Sequence, residues 1–240
     1  MTKGYVMSAE SSNCNESDDV ESDIESFDTI PYYLPTEVVV HNKPDDCWVS
    51  YMTDVFNLTN LCTLWRDTEE IKPILANAGK DISHWFDHLR HDIRYYIHPI
   101  TGASVPYCPH GPIPDVGNIM PVCDWRPLHR CPWWLDYKFR IGKITSNPRP
   151  IKILNVLTGQ SAIIMVCEED TINRIKHRYL LFNNNAMSYE FKFQGKILNI
   201  NKTLTENNII DERERYLNCG LPDDIYIPTI FCHYKENLIP

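Results

Sequence analysis

The chain of 240 residues carries a formal net charge of −9, and 43% of its residues are hydrophobic. This apolar share can build a core in one or two ordinary domains, so a chain that is disordered throughout is excluded. The longest apolar runs fall far short of the roughly 20 residues of a membrane-spanning helix, and the first residues lack the apolar segment of a secretory signal, so we expect a cytoplasmic protein.

The first 30 residues form an acidic tail. Eight carboxylate side chains against the single Lys3 give residues 1–28 a charge of −7. With few large apolar groups, this segment cannot bury enough surface to offset chain entropy, and we predict that residues 1–30 are disordered. The tail either only aids solubility or is a phosphorylated docking segment, with Ser17 and Ser22 ahead of acids. The rest of the chain is nearly neutral, which argues against nucleic-acid binding.

The next elements predict a first domain over residues 31–98. Pro35, followed by a short apolar run, predicts a helix start, and "CWVSY" and "DVFNLT" predict two strands around a tight turn at residues 52–54. Helical spacing in "EEIKPILANAG" predicts a helix that stops at Gly79. A further helical segment, "DISHWFDHLRHDIRYYI", is expected to close the domain.

Proline then dominates residues 99–150, which hold ten of the seventeen prolines of the chain. Regular helix or a central strand is not expected in such a segment. Trp125, Trp133 and Trp134 are nevertheless too large and apolar for a free linker. We therefore predict an extended arm, rich in proline and tryptophan, that packs against one or both domains.

Residues 151–240 predict a compact second domain. "IKILNVL" and "SAIIMV" alternate as a hairpin around a Thr-Gly turn. Thr171 is a plausible N-cap for a helix that places Ile172, Ile175 and Tyr179 on one face. "YEFKF", a "QGK" turn and the late strand "PTIFCHY" complete a small β-grasp arrangement.

The order and spacing of these last segments resemble ubiquitin. "NVLTGQSAIIMVCEEDTINRIK" and "FKFQGKILNINKTLTENNI" carry the resemblance, which implies a ubiquitin-like fold. The chain ends "YKENLIP" without a Gly-Gly pair, so we expect no conjugation. The positions that align with the apolar receptor patch of ubiquitin are Leu157, Lys192 and His233. A charged group in such a patch is unfavourable, so standard ubiquitin receptors are not expected to bind.

The first domain resembles the cytochrome b5 family through "HNKPDDCWVSYMTDVFNLT" and "ANAGKDISHWF". In that family two histidines hold haem iron from opposite sides. Here Trp65 occupies the first axial position, and an indole nitrogen only donates hydrogen bonds. His91 aligns with the second histidine, and Tyr96 and His98 are further candidate haem ligands. We expect a haem-free core packed by aromatic rings, with haem b bound through these candidates as the alternative.

No other motif predicts catalysis or a metal centre. A nucleophile elbow, a phosphate-binding loop, a dinucleotide fingerprint and a zinc-protease motif are all absent from the sequence. Zinc-ligand types occur within and beside the arm, at Cys108, His110, Cys123, His129 and Cys131. Their spacings do not match the usual zinc-finger pairs, so we predict no metal site. The nine cysteines are expected to be free thiols.

The sequence therefore predicts an α+β protein in which a cytochrome b5-like domain is followed by a proline- and tryptophan-rich arm and a ubiquitin-like domain. This combination resembles a family of cytoplasmic proteins of motile cilia. Membership implies association with the axoneme and its radial spokes, and a part in tuning ciliary beat to redox state. One hypothesis is a non-enzymatic interaction protein with axonemal and radial-spoke partners and no membrane or nucleic-acid partner. The other is a haem-bearing redox carrier or sensor.

Overall fold

The computed structural model of the protein describes residues 30–116 and 131–234, so the predicted acidic tail up to residue 29 lies outside the described residues. The helices of the described part are α1 Pro35–Val40, α2 Thr59–Leu64, α3 Lys72–Ala76, α4 Ile172–Tyr179 and α5 Arg213–Asn218. Its strands are β1 Tyr32–Tyr33, β2 Asn42–Lys43, β3 Asp46–Tyr51, β4 Asp54–Asn57, β5 Phe86–Asp87, β6 Asp92–Ile93, β7 Tyr95–Ile97, β8 Ser104–Pro106, β9 Arg140–Ile144, β10 Pro148–Asn155, β11 Ser161–Cys167, β12 Tyr189–Phe193, β13 Lys196–Ile197 and β14 Thr229–Tyr234. Several sheets with few helices confirm the α+β class. Within the described ranges, no helix has the length and apolar character needed to cross a membrane.

The first sheet has the strand order β1-β9-β4-β3-β2. Strands β3 and β4 form the predicted hairpin, whose register pairs Trp48 with Asn57 at the open end and Tyr51 with Asp54 at the turn end. The turn passes through Met52 at a φ of 55°. Val49 and Tyr51 point into a buried cluster, here called the first core, that also receives side chains from α2 and α3. This sheet and its short helices form the N-terminal half of the molecule.

The expected helix over residues 81–97 is wrong. The segment instead forms one 3-10 turn, Ser83–Trp85, followed by the short hairpin β5–β6 and by β7, which pairs with β8. The Asp87 carboxylate accepts hydrogen bonds from the Leu89 and Arg90 amides at 2.8 and 3.4 Å. An aspartate that captures the next amides offers the backbone an alternative to helix. The turn then closes with His91 at a φ of 52°.

The expectation that residues 99–150 hold no central strand is also wrong, because β9 lies between β1 and β4 in the first sheet. Residues 133–147 contain no proline, so the local sequence can form a ladder there. Gly142 permits the close approach of β1, since an added Cβ would lie 2.4 Å from the Pro31 carbonyl oxygen. Trp133 and Trp134 are buried in the first core. The arm therefore completes the N-terminal half as well as leading to β10.

The second sheet has the strand order β11-β10-β14-β12-β13. Strands β10 and β11 form the predicted antiparallel hairpin, and β14 returns parallel to β10. Helix α4 begins where expected, because the Thr171 hydroxyl accepts a hydrogen bond from the Arg174 amide at 3.3 Å. Ile172, Ile175 and Tyr179 are buried against this sheet, which confirms the predicted apolar face.

The two halves of the molecule meet at Arg178 of α4. Its Nε donates to Asp170 Oδ2 at 2.6 Å and its Nη2 donates to the Tyr32 carbonyl oxygen at 3.1 Å. Its Nη1 also pairs with Glu37 of α1. Helix α1 and strand β1 are thus both tied to α4. The Arg174 guanidinium also lies over the Tyr33 ring.

Candidate functional site

The turn that aligns with the first haem ligand is held by hydrogen bonds among its own backbone and side-chain groups. The Trp65 amide donates to the Leu61 carbonyl at 3.0 Å, and the Trp65 carbonyl accepts from the Thr68 amide and hydroxyl at 3.2 and 2.9 Å. Asp67 turns the chain at a φ of 65°. The Trp65 ring packs against the first core. A large indole with no lone pair for iron therefore takes the place of an axial imidazole.

His91 lies on the exposed loop between β5 and β6. It forms part of the wall of a cavity of about 240 Å³ that also includes Tyr51 and Asp54, at the turn end of the β3–β4 hairpin. Helix α2, which leads to Trp65, begins at the opposite, open end of the same hairpin. The two positions that align with the axial ligands therefore belong to different elements, Trp65 to the end of α2 and His91 to the β5–β6 loop.

Tyr96 and His98 lie together on a different hairpin. Their ring centroids are 6.4 Å apart on strand β7 and the residue after it, and Tyr96 is 38% exposed. The Thr101 amide donates to Nδ1 of His98 at 3.4 Å. Across residues 30–116 and 131–234, no three histidine, cysteine or acidic side chains gather as they would around a metal ion. The structure thus brings Tyr96 to His98 on the β7–β8 hairpin, whereas His91 lies on the β5–β6 loop.

Aromatic rings from the arm fill the first core. Trp133 is 1% exposed, and its ring meets Phe56, Phe86 and Trp134 at centroid distances of 6.2, 6.1 and 5.6 Å, each close to perpendicular. Edge-to-face packing of this kind is favourable beyond the apolar area that it buries. The Trp133 amide donates to Asp115 Oδ2 at 3.2 Å. The sequence indicates that these tryptophans are too apolar for a linker. It does not predict which aromatic rings they contact.

These contacts test whether the described residues fit a haem. The first axial position carries an indole, the second lies on an exposed loop, and the core between the elements is packed with rings. The described residues do not fit a haem held between two axial ligands, and we derive no chemistry through that group.

The cysteines near this core are buried thiols. Cys47 of β3 and Cys62 of α2 are 0% and 5% exposed. The hydrogen bond between them, together with burial, raises the pKa of the Cys47 thiol. Burial also raises the pKa of Cys167 to about 12. The same Cys47–Cys62 hydrogen bond lowers the pKa of the Cys62 thiol, which is buried. Reactive cysteines need exposure and a lowered pKa, and none of these three thiols has both. Of the zinc-ligand types in the arm, Cys123 and His129 lie outside the described residues.

The outer face of the second sheet carries exposed apolar side chains. Ile163 on the edge strand β11 is 56% exposed, and Phe231 on β14 is 38% exposed. Phe231 pairs in register with Lys192 on β12, whose Nζ lies 3.2 Å from a Glu190 carboxylate oxygen. His233 pairs with Glu190 on the same two strands.

The three positions that align with the ubiquitin receptor patch thus lie at one side of this face. Lys192 and His233 are on neighbouring strands, and Leu157, 73% exposed, is in the β10–β11 turn. The face formed by Leu157, Ile163, Lys192, Phe231 and His233 is called the outer face below.

Comparison with known proteins follows this geometry. No protein-family model matches the chain. It is 39% identical over 208 residues to cytochrome b5 domain-containing protein 1 of Homo sapiens, which covers 86% of this chain and 91% of the human protein. The mouse protein of the same name is 37% identical over 207 residues, with 86% and 91% covered. A segment of 67 residues is 40% identical to L-lactate dehydrogenase (cytochrome) of Saccharomyces cerevisiae, which covers 27% of this chain and 11% of the yeast protein.

Proposed function

We propose that this chain, which belongs to the family of cytochrome b5 domain-containing protein 1, is a non-enzymatic interaction protein of the motile-cilium axoneme. Its membership of that family rests on relatives that it matches over nine-tenths of their length. The axonemal and radial-spoke partners, the location in the cytoplasm and the cilium, and the tuning of ciliary beat to redox state rest on the sequence resemblance alone.

The finer architecture belongs to the same proposal. We assign residues 31–98 with part of the arm to a degenerate cytochrome b5-like domain, and residues 151–240 to a ubiquitin-like β-grasp domain. The strand order β11-β10-β14-β12-β13, with α4 following the first hairpin, supports the second assignment. A β-grasp domain of this kind has its apolar core under α4 and leaves the other face of the sheet free for binding.

The outer face is the single observation that carries a binding role. Exposed apolar residues in a group, rimmed by polar ones, mark interaction surfaces. Ile163, Phe231 and Leu157 supply the apolar area, while Lys192 and His233 stand where a ubiquitin receptor needs aliphatic contacts. The outer face therefore suits a partner of the axoneme that presents apolar groups, rather than a ubiquitin receptor or a conjugating enzyme.

Co-sedimentation with isolated axonemes tests this proposal. We expect the full chain to bind, and Ile163→Glu and Phe231→Glu each to reduce the bound fraction by about tenfold, because both place a carboxylate in a desolvated contact. Leu181→Glu is the matched control, since Leu181 is 90% exposed but lies after α4, away from the outer face. Equal binding by the wild type and all three variants would show that the outer face does not bind axonemes.

A haem-binding redox carrier or sensor is the second candidate. It rests on the names of the relatives and on the alignment of His91 with the second family histidine. A purified chain with a Soret band that is lost in His91→Ala would favour it. Retention of the band in that variant, with loss in Tyr96→Phe or His98→Ala, would place the iron on the other hairpin.

A further inference from the structure

The cavity beside His91 has features of a binding site that is separate from any haem position. It measures about 240 Å³ and lies between the turn end of the β3–β4 hairpin, the β5–β6 loop and the segment that precedes β9. At about 30 Å³ for each water-sized group, it has room for about eight such groups. A single small ring fits this space.

Three buried hydrogen-bond donors and one buried acceptor belong to residues that line this cavity. Within the described ranges, the donors Tyr51 Oη, Trp134 Nε1 and Arg140 Nε have no hydrogen-bond partner, and the acceptor Asp54 Oδ1 has only its ion pair with Arg140. Tyr51 is 5% exposed and Trp134 is 4% exposed. Buried polar groups are almost always paired, and leaving them unpaired is unfavourable. The donors therefore indicate an occupant that brings acceptor atoms.

The surrounding charges indicate that the occupant is neutral. Asp54 Oδ1 lies 2.9 Å from Arg140 Nη2, so the one guanidinium of the cavity is already paired. Asp136 also lines the cavity. Burial, together with the charges of Asp92 and Asp54, raises the pKa of Tyr51 to about 12. Two carboxylates, Asp54 and Asp136, thus line the cavity with one arginine, and His91 is the only other lining residue that can carry a positive charge, so an anionic ligand is disfavoured.

The shape of the wall indicates a flat occupant. Phe56, Trp134 and Tyr137 line the cavity with aromatic side chains, of which the first two are buried and Tyr137 is 80% exposed. Flat rings of this kind pack well against a planar ligand. We propose that the cavity binds a small, neutral, planar carbonyl compound, whose oxygens accept hydrogen bonds from Tyr51, Trp134 and Arg140. This site is independent of the outer face and of the axonemal role.

Ligand-observed NMR and calorimetry on the full chain test the proposal. Uracil is the probe, since it is neutral and planar and carries two ring carbonyls. Orotate is the matched control ligand, because it adds a carboxylate to the same ring. We expect uracil to bind with a dissociation constant of about 1 mM or tighter, and orotate to bind at least about tenfold more weakly.

The variant Tyr51→Phe removes one donor and keeps the ring. We expect it to weaken uracil binding by about fivefold to tenfold, the usual effect of one hydrogen bond. Tyr96→Phe, on the other hairpin and outside the cavity, is the matched control and should bind as the wild type does. If Tyr51→Phe does not fold, the affinities of the wild-type chain for uracil and orotate still test the proposal.

Three results would overturn the proposal. The first is a folded wild-type chain that binds no uracil, which would mean that the cavity holds only water. The second is orotate binding as tightly as uracil, which would make it an anion site. The third is a folded Tyr51→Phe variant with unchanged affinity.

Discussion

At the scale of single residues, Arg213 shows how one side chain fixes a connection that sequence patterns do not reveal. Its guanidinium donates to Asp211 Oδ2 at 2.6 Å, to Asn147 Oδ1 at 2.8 Å and to the Pro148 carbonyl at 3.0 Å. The segment before α5 is thereby tied to the start of β10. The same hydrogen bonds from Arg213 lower the pKa of Asp211 to about 2.

This contact predicts a pH dependence of stability. Because the pKa of Asp211 in the folded chain lies below its ordinary value of 3.8, its contribution is complete above about pH 4 and is lost as the pH falls through about 2. Asp211→Asn should therefore flatten the decrease in unfolding free energy between those values. Urea unfolding at several pH values measures it. The exposed Asp224→Asn is the control, and equal slopes for both variants would contradict the assignment.

At the scale of elements, β9 decides whether the first sheet is complete. It is the only link between β1 and β4 in that sheet. Its residue Gly142 lies so close to β1 that an added Cβ would be 2.5 Å from Tyr33 Cε2 as well as 2.4 Å from the Pro31 carbonyl oxygen. Both contacts are shorter than side chains tolerate, and one of them is with backbone.

Gly142→Ala is therefore expected to separate β1 from β9. Overpacking of this kind costs about 1–3 kcal/mol of unfolding free energy. Limited proteolysis should then cut near residues 30–33, and thermal unfolding should report the lower stability. Lys143→Ala, the next residue along β9, is the control that removes a side chain without adding one, and it should unfold close to the wild type. A Gly142→Ala chain as stable and as resistant as the control would show that β1 does not pack as described.

The elements also show what the sequence could predict. The β3–β4 and β10–β11 hairpins and helix α4 follow from period-2 and period-3.6 patterns with local turn and cap residues, so they were predicted. The segment after Gly79 was not, because Asp87 competes for backbone amides and His91 adopts a left-handed conformation. The prolines of the arm concealed β9, although residues 133–147 have none.

The candidate site was harder to predict for a related reason. The alignment of His91 with the second family histidine is a sequence prediction, and the structure places His91 on the β5–β6 loop in the wall of the cavity. The cavity is built by Tyr51, Trp134 and Arg140, which lie far apart in sequence. No local pattern joins these residues, so only the fold brings their donors together.

At the scale of the whole molecule, α4 connects the two halves through Arg178. The side chains of Arg178 and Asp170 are only 9% and 2% exposed. Burial raises the pKa of Asp170, although the hydrogen bond and charge of Arg178 act against that rise. Asp170 also accepts a hydrogen bond from the Cys167 amide at 3.0 Å. Arg178 thus compensates the charge of the buried Asp170 carboxylate. It also holds β1 and α1 against α4 through Tyr32 and Glu37.

Replacing this arginine is expected to loosen the whole molecule. Arg178→Met leaves Asp170 buried without its partner, which costs about 3–5 kcal/mol. It also removes the contacts to Glu37 and Tyr32. Calorimetry should change from one unfolding transition in the wild type to two in the variant. The control is Arg215→Met on α5, whose side chain is 79% exposed, and it should keep the single transition. Two transitions in the wild type would show that Arg178 does not couple the unfolding of the two halves.

The central claim is that the N-terminal half is folded by its own aromatic side chains, with Trp133 and Trp134 buried in the first core. The most direct measurement is the amide NMR spectrum and the visible absorption of the chain, made in a haem-deficient host, before and after one equivalent of hemin. We predict a dispersed spectrum without hemin that hemin leaves unchanged. Collapsed signals for residues 31–116 that regain dispersion only with hemin, together with a Soret band that His91→Ala abolishes, would contradict it.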